Sequence, residues 1–136
     1  MIDTQESLVI ERYINCLVGT PYKLGGNVPQ DGGMDCSAVV LELLRCISKW
    51  GTSDATAQMI YNTLAKKNDD EKPPMTSHFI MKDSLLFFGE STSKITHVAW
   101  AIGAGFMFEA GGNDKTGMCR FRKITWRKDL VAVVAL

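Results

Sequence analysis

The spacing of apolar residues changes partway along this 136-residue chain, and the change limits the folds that the chain can adopt. In the first half, apolar residues recur at helical spacing and predict helices over 1–18, over 36–49 and, from a cap at Ser53 or Asp54, to about residue 66. In the second half, short apolar or alternating runs are separated by Gly, Asn, Asp and Ser, which is typical of small antiparallel strands. Helices followed by strands predict an α+β fold, with the N-terminal helices packed on a small antiparallel sheet.

The second half of the chain predicts five short strands, which cover residues 84–88, 96–102, 106–109, 119–125 and 130–136. Gly103-Ala104-Gly105 lies between two of them and predicts a hairpin turn. Residues 67–74 are polar, contain two adjacent prolines and predict a loop. A chain of this length suits one domain, so we expect 1–136 to fold as a single unit.

The charge composition excludes one broad class of partner. The 15 Lys and Arg residues balance 15 Asp and Glu residues, so the formal net charge is zero. A nucleic-acid-binding protein would usually show a basic excess or a basic stripe, and we expect no nucleic-acid partner here. The one basic run, 120–128, alternates with Phe121, Ile124 and Trp126, and we interpret it as a solvated strand face.

No apolar run reaches the roughly 18–20 residues that cross a bilayer, so we expect no membrane span. Residues 1–20 lack a basic start followed by an apolar stretch and a small-residue cleavage site, so we expect no classical signal peptide. The chain then acts where it is made, leaves the cell by another route or has lost a leader.

The cysteines and histidines predict no metal site. None of the four cysteines forms a Cys-x-x-Cys pair, which a structural zinc site would favour, and the chain has only two histidines. We therefore expect neither a metal nor an organic cofactor.

Cys36 is the candidate nucleophile. It follows a glycine-rich loop over 20–34, and Asp35 is a good N-cap for the helix that Cys36 begins. Backbone N–H groups and the helix dipole at this position favour a negative charge, so they stabilise a thiolate. The same N–H groups can hold the oxyanion that forms when the thiolate attacks a carbonyl. The alternative interpretation is a buried structural cysteine beside a tight turn.

A candidate base and its partner lie on two of the predicted strands. His97 opens the run 97–102, where a neutral imidazole can take the thiol proton and later protonate a leaving amine. Glu109 ends the next strand, across the predicted hairpin turn, and its carboxylate can accept the second imidazole N–H. Each residue alone could be an ordinary strand residue, and the combination with Cys36 is what indicates a catalytic site.

Several segments of the chain together resemble the NlpC-type cell-wall peptidases. Residues 19–27 read Gly-Thr-Pro-Tyr-Lys-Leu-Gly-Gly-Asn and residues 33–37 read Gly-Met-Asp-Cys-Ser, similar to the family's Gly-x-Pro-Tyr-x-x-Gly-Gly loop and its Asp-Cys-Ser nucleophile segment. Leu-Leu-Phe-Phe at 85–88, Thr-His-Val-Ala at 96–99 and Gly-Phe-Met-Phe-Glu-Ala at 105–110 resemble the strands around the family's histidine. The order and spacing of these segments hold over most of the chain.

The resemblance implies a small papain-like fold, with the cysteine on a helix packed against an antiparallel sheet. It implies a cysteine endopeptidase that hydrolyses peptide bonds in bacterial peptidoglycan, with the stem peptide as its partner. The expected target is the bond between a γ-D-glutamyl residue and a diamino acid.

The same resemblance assigns roles to six residues. Cys36 matches the nucleophile, His97 matches the base and Glu109 matches the third polar position, which is often histidine in the family. Three further residues match positions that concern the substrate. Tyr22 matches a tyrosine that contacts substrate or oxyanion. Asp35 and Ser37 match two residues that shape the substrate-amine subsite.

Four places depart from the family's pattern: Ala38 stands where glycine is common, and Asp83-Ser84, Trp100 and Glu109 also differ. Asp83-Ser84 replaces the usual Gly-Asp before the Leu-Leu-Phe-Phe strand, so we expect a different turn there. Trp100 replaces an aliphatic residue or a tyrosine, and we expect its ring to narrow or line the catalytic cleft.

Two other functions are compatible with the sequence. The same fold could cleave a different amide or transfer an acyl group, or the chain could be a non-catalytic structural part of an assembly such as a phage tail. Because peptidoglycan lies outside the cytoplasm, we expect delivery to the wall by a phage particle or a specialised secretion system, whose assembly would then be a partner. Otherwise the protein would act in the cytoplasm on imported wall fragments.

Overall fold

The computed structural model describes residues 2–65, 70–71, 77–112 and 116–136. Three α-helices come first among these residues: α1 (Thr4–Leu17), α2 (Cys36–Cys46) and α3 (Ala57–Leu64). The strands that follow are β1 (Asp70–Glu71), β2 (Ser84–Ser91), β3 (Lys94–Gly103), β4 (Phe106–Gly111), β5 (Met118–Lys123) and β6 (Leu130–Ala135). They form one antiparallel sheet in the order β1-β6-β2-β3-β4-β5. The predicted α+β class is confirmed.

The third helix begins later than the sequence predicted. The expected cap at Ser53 or Asp54 is wrong, because the Thr56 hydroxyl accepts from the backbone N–H three residues further on, at 3.2 Å. The Ser53 carbonyl is instead an acceptor for side chains of the preceding segment, Arg45 at 2.9 Å and Trp50 at 3.0 Å. These bonds keep the chain before Thr56 in an irregular conformation.

The strands contain most of the predicted runs and extend several of them. The predicted turn between β3 and β4 is confirmed, and its three residues, Gly103, Ala104 and Gly105, all have positive φ angles of 91°, 54° and 83°. The predicted loop at 67–74 lies outside the described residues except for 70–71, which pair with β6. None of the helices in the described part of the chain has the length and hydrophobicity needed to cross a membrane.

Both faces of the sheet are buried. The face towards the helices forms the main core, whose fully buried side chains include Val39, Leu43, Phe87, Trp100 and Phe108. The opposite face carries a smaller buried cluster that includes Leu86, Phe88, Ala99, Met107 and Val133. Burial on two faces explains why several strands read as nearly continuous apolar runs rather than as a strict alternation.

The expectation that Trp100 lines the catalytic cleft is wrong, because its ring is fully buried in the main core. Its Nε1 donates to Asp83 Oδ1 at 2.9 Å, and Asp83 Oδ2 accepts from the Ser7 hydroxyl at 2.7 Å. Asp83 has a φ of 63°, in the left-handed region that Asp and Asn tolerate better than most residues. The aspartate that replaces the family's usual glycine therefore links α1 to β3 through one buried carboxylate.

Replacing Asp83 with alanine should destabilise the fold. The change removes the acceptor of a buried Trp100 N–H, and a buried donor without an acceptor costs about 1–3 kcal/mol. Urea unfolding should show a free energy of unfolding lower than that of wild type by about this amount. Asp83→Asn is the matched control, because asparagine keeps an acceptor oxygen and tolerates the left-handed conformation. An equal loss of unfolding free energy in both variants would contradict the role of Asp83 as the acceptor of the Trp100 N–H.

Candidate active site

Cys36 is the first residue of α2, and Asp35 holds this end of the helix. Asp35 Oδ1 accepts from the Ala38 N–H at 2.9 Å and from the Ser37 hydroxyl at 3.0 Å. Its other oxygen, Oδ2, accepts from the Gly25 N–H at 3.1 Å. The predicted N-cap is therefore confirmed, and the same carboxylate ties the glycine-rich loop to the helix of the candidate nucleophile.

The glycine-rich loop folds back closely on itself. A Cβ atom on Gly26 would lie 2.1 Å from the carbonyl oxygen of Gly33, so a larger residue would force the backbone apart. The loop is also held against the segment before β5, because the Tyr22 N–H donates to the Gly117 carbonyl at 2.9 Å. These contacts hold Tyr22 on the wall of the cavity that also contains Cys36.

His97 and Glu109 lie where β3 and β4 separate. In the described part of the sheet, the β3–β4 ladder ends at the pair Trp100–Phe108. Beyond this pair His97 stays paired with β2, and Glu109 stays paired with β5. The two side chains meet across the gap, with His97 Nε2 2.9 Å from Glu109 Oε1, and both are buried. Because a carboxylate only accepts, Nε2 is the donor.

His97 also contacts the candidate nucleophile. Cys36 is one of the causes that raise the pKa of the His97 ring, and since Nε2 is bonded to Glu109, Nδ1 is the ring nitrogen left for this interaction. Burial by itself lowers the pKa of His97, but the hydrogen bonds and negative charges of Cys36 and Glu109 outweigh burial and raise this pKa to about 9. At neutral pH the imidazole beside Cys36 is therefore protonated.

Two arginines complete the polar network around Glu109. Arg120 Nε and Arg122 Nη1 lie 3.4 and 3.6 Å from Oε2, the oxygen that does not bond to His97. Burial raises the pKa of Glu109, but the hydrogen bond and charge of His97 and the charges of the two arginines lower it overall. Gly111 provides the necessary space, because a Cβ atom there would lie 2.4 Å from Oε2.

A cavity of about 260 Å³ joins these groups, and its walls include Tyr22, Cys36, His97, Glu109, Arg122, Trp126 and Arg127. Asp35 and Ser37 stand beside Cys36 but do not line this cavity, and their place in a substrate-amine subsite stays a prediction. No group of three or more His, Cys, Asp or Glu side chains in the described segments could hold a metal ion.

The interpretation of residues 120–128 as a solvated strand face is wrong for Arg120 and Arg122, which are partly buried, while Lys123 and Lys128 are exposed. Arg120 and Arg122 face Glu109, and the Arg122 guanidinium lies 4.1 Å from the centre of the Trp126 ring. Arg127 pairs with Asp129 through two hydrogen bonds of 2.9 and 2.8 Å. The alternation of the run already placed Arg120 and Arg122 on one face of a strand. Only the pairing of that strand with β4 reveals that this face is the one that carries Glu109.

Residues 19–135 match the model of the NlpC/P60 family, which covers most of the chain. The chain belongs to the NlpC/P60 family. The resemblance drawn from the glycine-rich loop, the Asp-Cys-Ser segment and the histidine strand is therefore confirmed. A comparison of this NlpC/P60 chain with curated proteins found no match.

Solved structures of NlpC/P60 proteins share the papain-like fold of this chain. The NlpC/p60 domain of the peptidoglycan hydrolase SagA is 22% identical with a TM-score of 0.70, and the match covers 96% of this chain and 98% of that domain. The peptidoglycan hydrolase RipB from Mycobacterium tuberculosis is 20% identical with a TM-score of 0.72, over 97% of this chain and 64% of RipB.

A third structure shows the same domain within a longer protein. A Staphylococcus aureus protein described as similar to a lipoprotein of the NLP/P60 family is 20% identical, with a TM-score of 0.70. The match covers 98% of this chain but 42% of that protein. The chain thus spans less than two thirds of two of the three compared structures and nearly all of the SagA domain.

Glu109→Gln should lower the pKa of His97, because an amide still accepts the imidazole N–H but supplies no negative charge. An NMR titration of the histidine rings should place the pKa of His97 near 9 in wild type and lower in the variant. Folding raises the pKa of His97, so protonation of this residue stabilises the folded state. This contribution to the free energy of unfolding is fully present below about pH 6.5 and is lost as the pH rises through about 9. The variant should lose less stability over this pH range.

The chain allows simple controls for this titration. It has only two histidines, so the resonance that disappears in His97→Gln belongs to His97. Glu90→Gln removes a carboxylate whose ion pair with Lys94 is exposed, and it should leave the His97 titration unchanged. A His97 pKa that is the same in wild type and Glu109→Gln would contradict the electrostatic role of the carboxylate.

Proposed function

We propose that this protein is a cysteine peptidase that hydrolyses peptide bonds in the stem peptides of bacterial peptidoglycan. The observation that carries the proposal is the continuous chain of contacts from Cys36 through His97 to Glu109 on the wall of one cavity. Membership of the NlpC/P60 family supports it, and two of the compared proteins, SagA and RipB, are named as peptidoglycan hydrolases.

The first half of the proposed reaction forms an acyl-enzyme. The Cys36 thiolate attacks the carbonyl carbon of the scissile amide, and backbone N–H groups of the first turn of α2, together with Tyr22, stabilise the oxyanion. The protonated His97 then donates its proton to the departing amine as the carbon–nitrogen bond breaks. The acyl group remains on sulfur and the amine leaves as a neutral product.

The second half restores the enzyme. Acylation removes the thiolate charge and the hydrogen bond that raise the pKa of His97, so a lower pKa now favours the neutral imidazole that can accept a proton in this step. His97 takes a proton from water as the water oxygen attacks the thioester carbonyl. The tetrahedral intermediate collapses and expels the Cys36 thiolate, so the thiolate–imidazolium pair forms again, and the peptide leaves as a carboxylic acid that loses its proton to solvent.

The proposed target is the bond between a γ-D-glutamyl residue and a diamino acid. Its support is the resemblance of the nucleophile and histidine segments to the NlpC-type peptidases. Tyr22 would contact the substrate from the cavity wall, while Asp35 and Ser37, which flank Cys36, would shape the subsite for the substrate amine.

The alternatives are less consistent with the site. A non-catalytic part of a phage-tail-like assembly would not require a buried His97–Glu109 pair with two neutralising arginines next to a cysteine. A papain-like amidase or acyltransferase acting on another amide would use the same three residues. Identification of the reaction products distinguishes such an amidase or acyltransferase from the proposed peptidase.

The place of action is part of the proposal. Peptidoglycan lies outside the cytoplasm, so a phage particle or a specialised secretion system would deliver the protein to the wall. Action in the cytoplasm on imported wall fragments is the other route. Detecting the protein in phage particles, in the culture medium or only in the cytoplasmic fraction distinguishes these cases.

The decisive test incubates the purified protein with purified peptidoglycan and with free stem peptides, and identifies the products by mass spectrometry. Wild type should release fragments with new termini that identify the bond, and Cys36→Ala should reduce release to background because the nucleophile is gone. Cys16→Ala, which removes an exposed thiol of α1, should retain wild-type activity. Cleavage that survives Cys36→Ala would exclude the proposed mechanism.

Alkylation of Cys36 separates an inactive site from a wrong substrate. A thiolate beside a protonated imidazole should react with iodoacetamide near neutral pH faster than the exposed Cys16. Fast alkylation without cleavage of any stem peptide would indicate a working nucleophile with a different amide substrate. Slow alkylation together with no cleavage would favour the structural role.

A further inference from the structure

We propose that Arg122, supported by Trp126, forms a carboxylate-binding subsite in the catalytic cavity. The protein would then select peptides that carry a free carboxylate close to the scissile bond over peptides in which this carboxylate is amidated. The inference rests on the proposed peptidase function and adds to it the charge of the group beside the bond that is cleaved.

The first observation is that Arg122 has few partners for its donors. Its side chain is 21% exposed and lines the cavity that contains Cys36. Its ion pair with Glu109 is 3.6 Å long, and it makes no hydrogen bond of 3.5 Å or less with the described residues. A guanidinium has five N–H donors, so Arg122 can bind an acceptor that enters the cavity.

The second observation is that Arg122 is held in place without using those donors. The guanidinium carbon lies 4.1 Å from the centre of the Trp126 ring, a cation–π arrangement that restricts the side chain. Trp126 is itself on the cavity wall and 66% exposed. Such preorganisation lowers the entropy cost of binding a ligand.

The neighbouring arginines, unlike Arg122, donate hydrogen bonds to carboxylates of the protein itself. Arg127 also lines the cavity, but its Nε and Nη2 atoms are bonded to the two oxygens of Asp129. Arg120 donates from Nε to Glu109. Among the arginines around this cavity, Arg122 is therefore the one whose donors have no acceptor within hydrogen-bond distance in the described structure.

The local charge also favours an anion. Among the described side chains, Arg120, Arg122 and Arg127 contribute three positive charges and their partners Glu109 and Asp129 two negative charges, so one positive charge remains in this set. A thiolate–imidazolium pair adds no net charge. In a partly buried site, a hydrogen bond from guanidinium to carboxylate is roughly twice as strong as one between neutral groups.

The chemistry of the proposed substrate supplies such a group. A glutamyl residue linked through its γ-carbonyl leaves its α-carboxyl group outside the peptide backbone, and a diamino acid on the amine side can carry a second carboxylate. Either could occupy the subsite. Amidation of the relevant group would remove the charge and keep nearly the same shape.

Matched synthetic stem peptides test the proposal. One pair differs only in the glutamyl α-group, as carboxylate or carboxamide, and a second pair differs in the same way at the diamino acid. In one pair, wild type should cleave the carboxylate form with a kcat/KM roughly tenfold or more above that of the carboxamide form. The difference should arise mainly from a lower KM, because hydrogen bonds to charged groups contribute more to binding than those to neutral groups. The pair that shows the preference identifies the carboxylate.

Two variants assign the preference to one residue. Arg122→Gln should bring the kcat/KM ratio of the sensitive pair close to one, because glutamine offers a neutral donor. Arg127→Gln removes a positive charge from the same wall and should keep the ratio. Loss of the preference in both variants equally would overturn the subsite in favour of a general positive field.

Two further outcomes would also overturn the subsite while leaving the proposed function intact. Equal cleavage of both members of both pairs by wild type would show that no carboxylate is recognised. An Arg122→Gln variant that slows both members equally, keeps the wild-type ratio and shifts the His97 titration would show that Arg122 acts only through Glu109.

Binding measurements keep the two proposals distinguishable. If wild type cleaves none of the four peptides, the proposed function fails, and calorimetry with the Cys36→Ala protein then judges the subsite alone. Tighter binding of a carboxylate peptide that Arg122→Gln abolishes would support the subsite. Equal binding of the carboxylate and carboxamide forms would overturn it.

Discussion

The hydrogen bond between His97 and Glu109 is the interaction on which the rest of the site depends. It joins two strands just beyond the point where their ladder ends, in a buried position where an unpaired carboxylate would be strongly destabilising. Two arginines of β5 balance that charge, and Gly111 leaves room for them. The separation of β3 from β4 thereby determines the protonation state of the group that faces Cys36.

The nucleophile depends on an equally local device on the helical side. Asp35 caps α2 with one carboxylate oxygen and binds the Gly25 N–H with the other, so it fixes the position of the glycine-rich loop relative to the start of the helix. The helical half of the chain thus presents Cys36, and the sheet presents His97. The Asp83 carboxylate, which bonds to side chains of α1 and β3, adds a direct link between the two halves.

Much of this arrangement was predictable because it follows from local rules. The change of apolar period predicted the order of helices and strands, and the position after a glycine-rich loop and an N-cap predicted the setting of Cys36. Predictions failed where a distant partner decided the outcome. The strand that carries Trp100 buries its ring in the core and not in the cleft, and Arg120 and Arg122 of β5 balance a buried charge instead of facing solvent.

The sequence by itself determined the α+β class, the family and the three residues that meet in the cavity, because periodicity, capping and motif spacing act over short stretches of chain. Only the tertiary structure decided the environment of those residues. Which oxygen of Glu109 faces His97, which arginines neutralise it and which guanidinium remains available in the cavity all depend on strand register. Register pairs residues that are distant in the chain, and it results from the packing of the whole sheet.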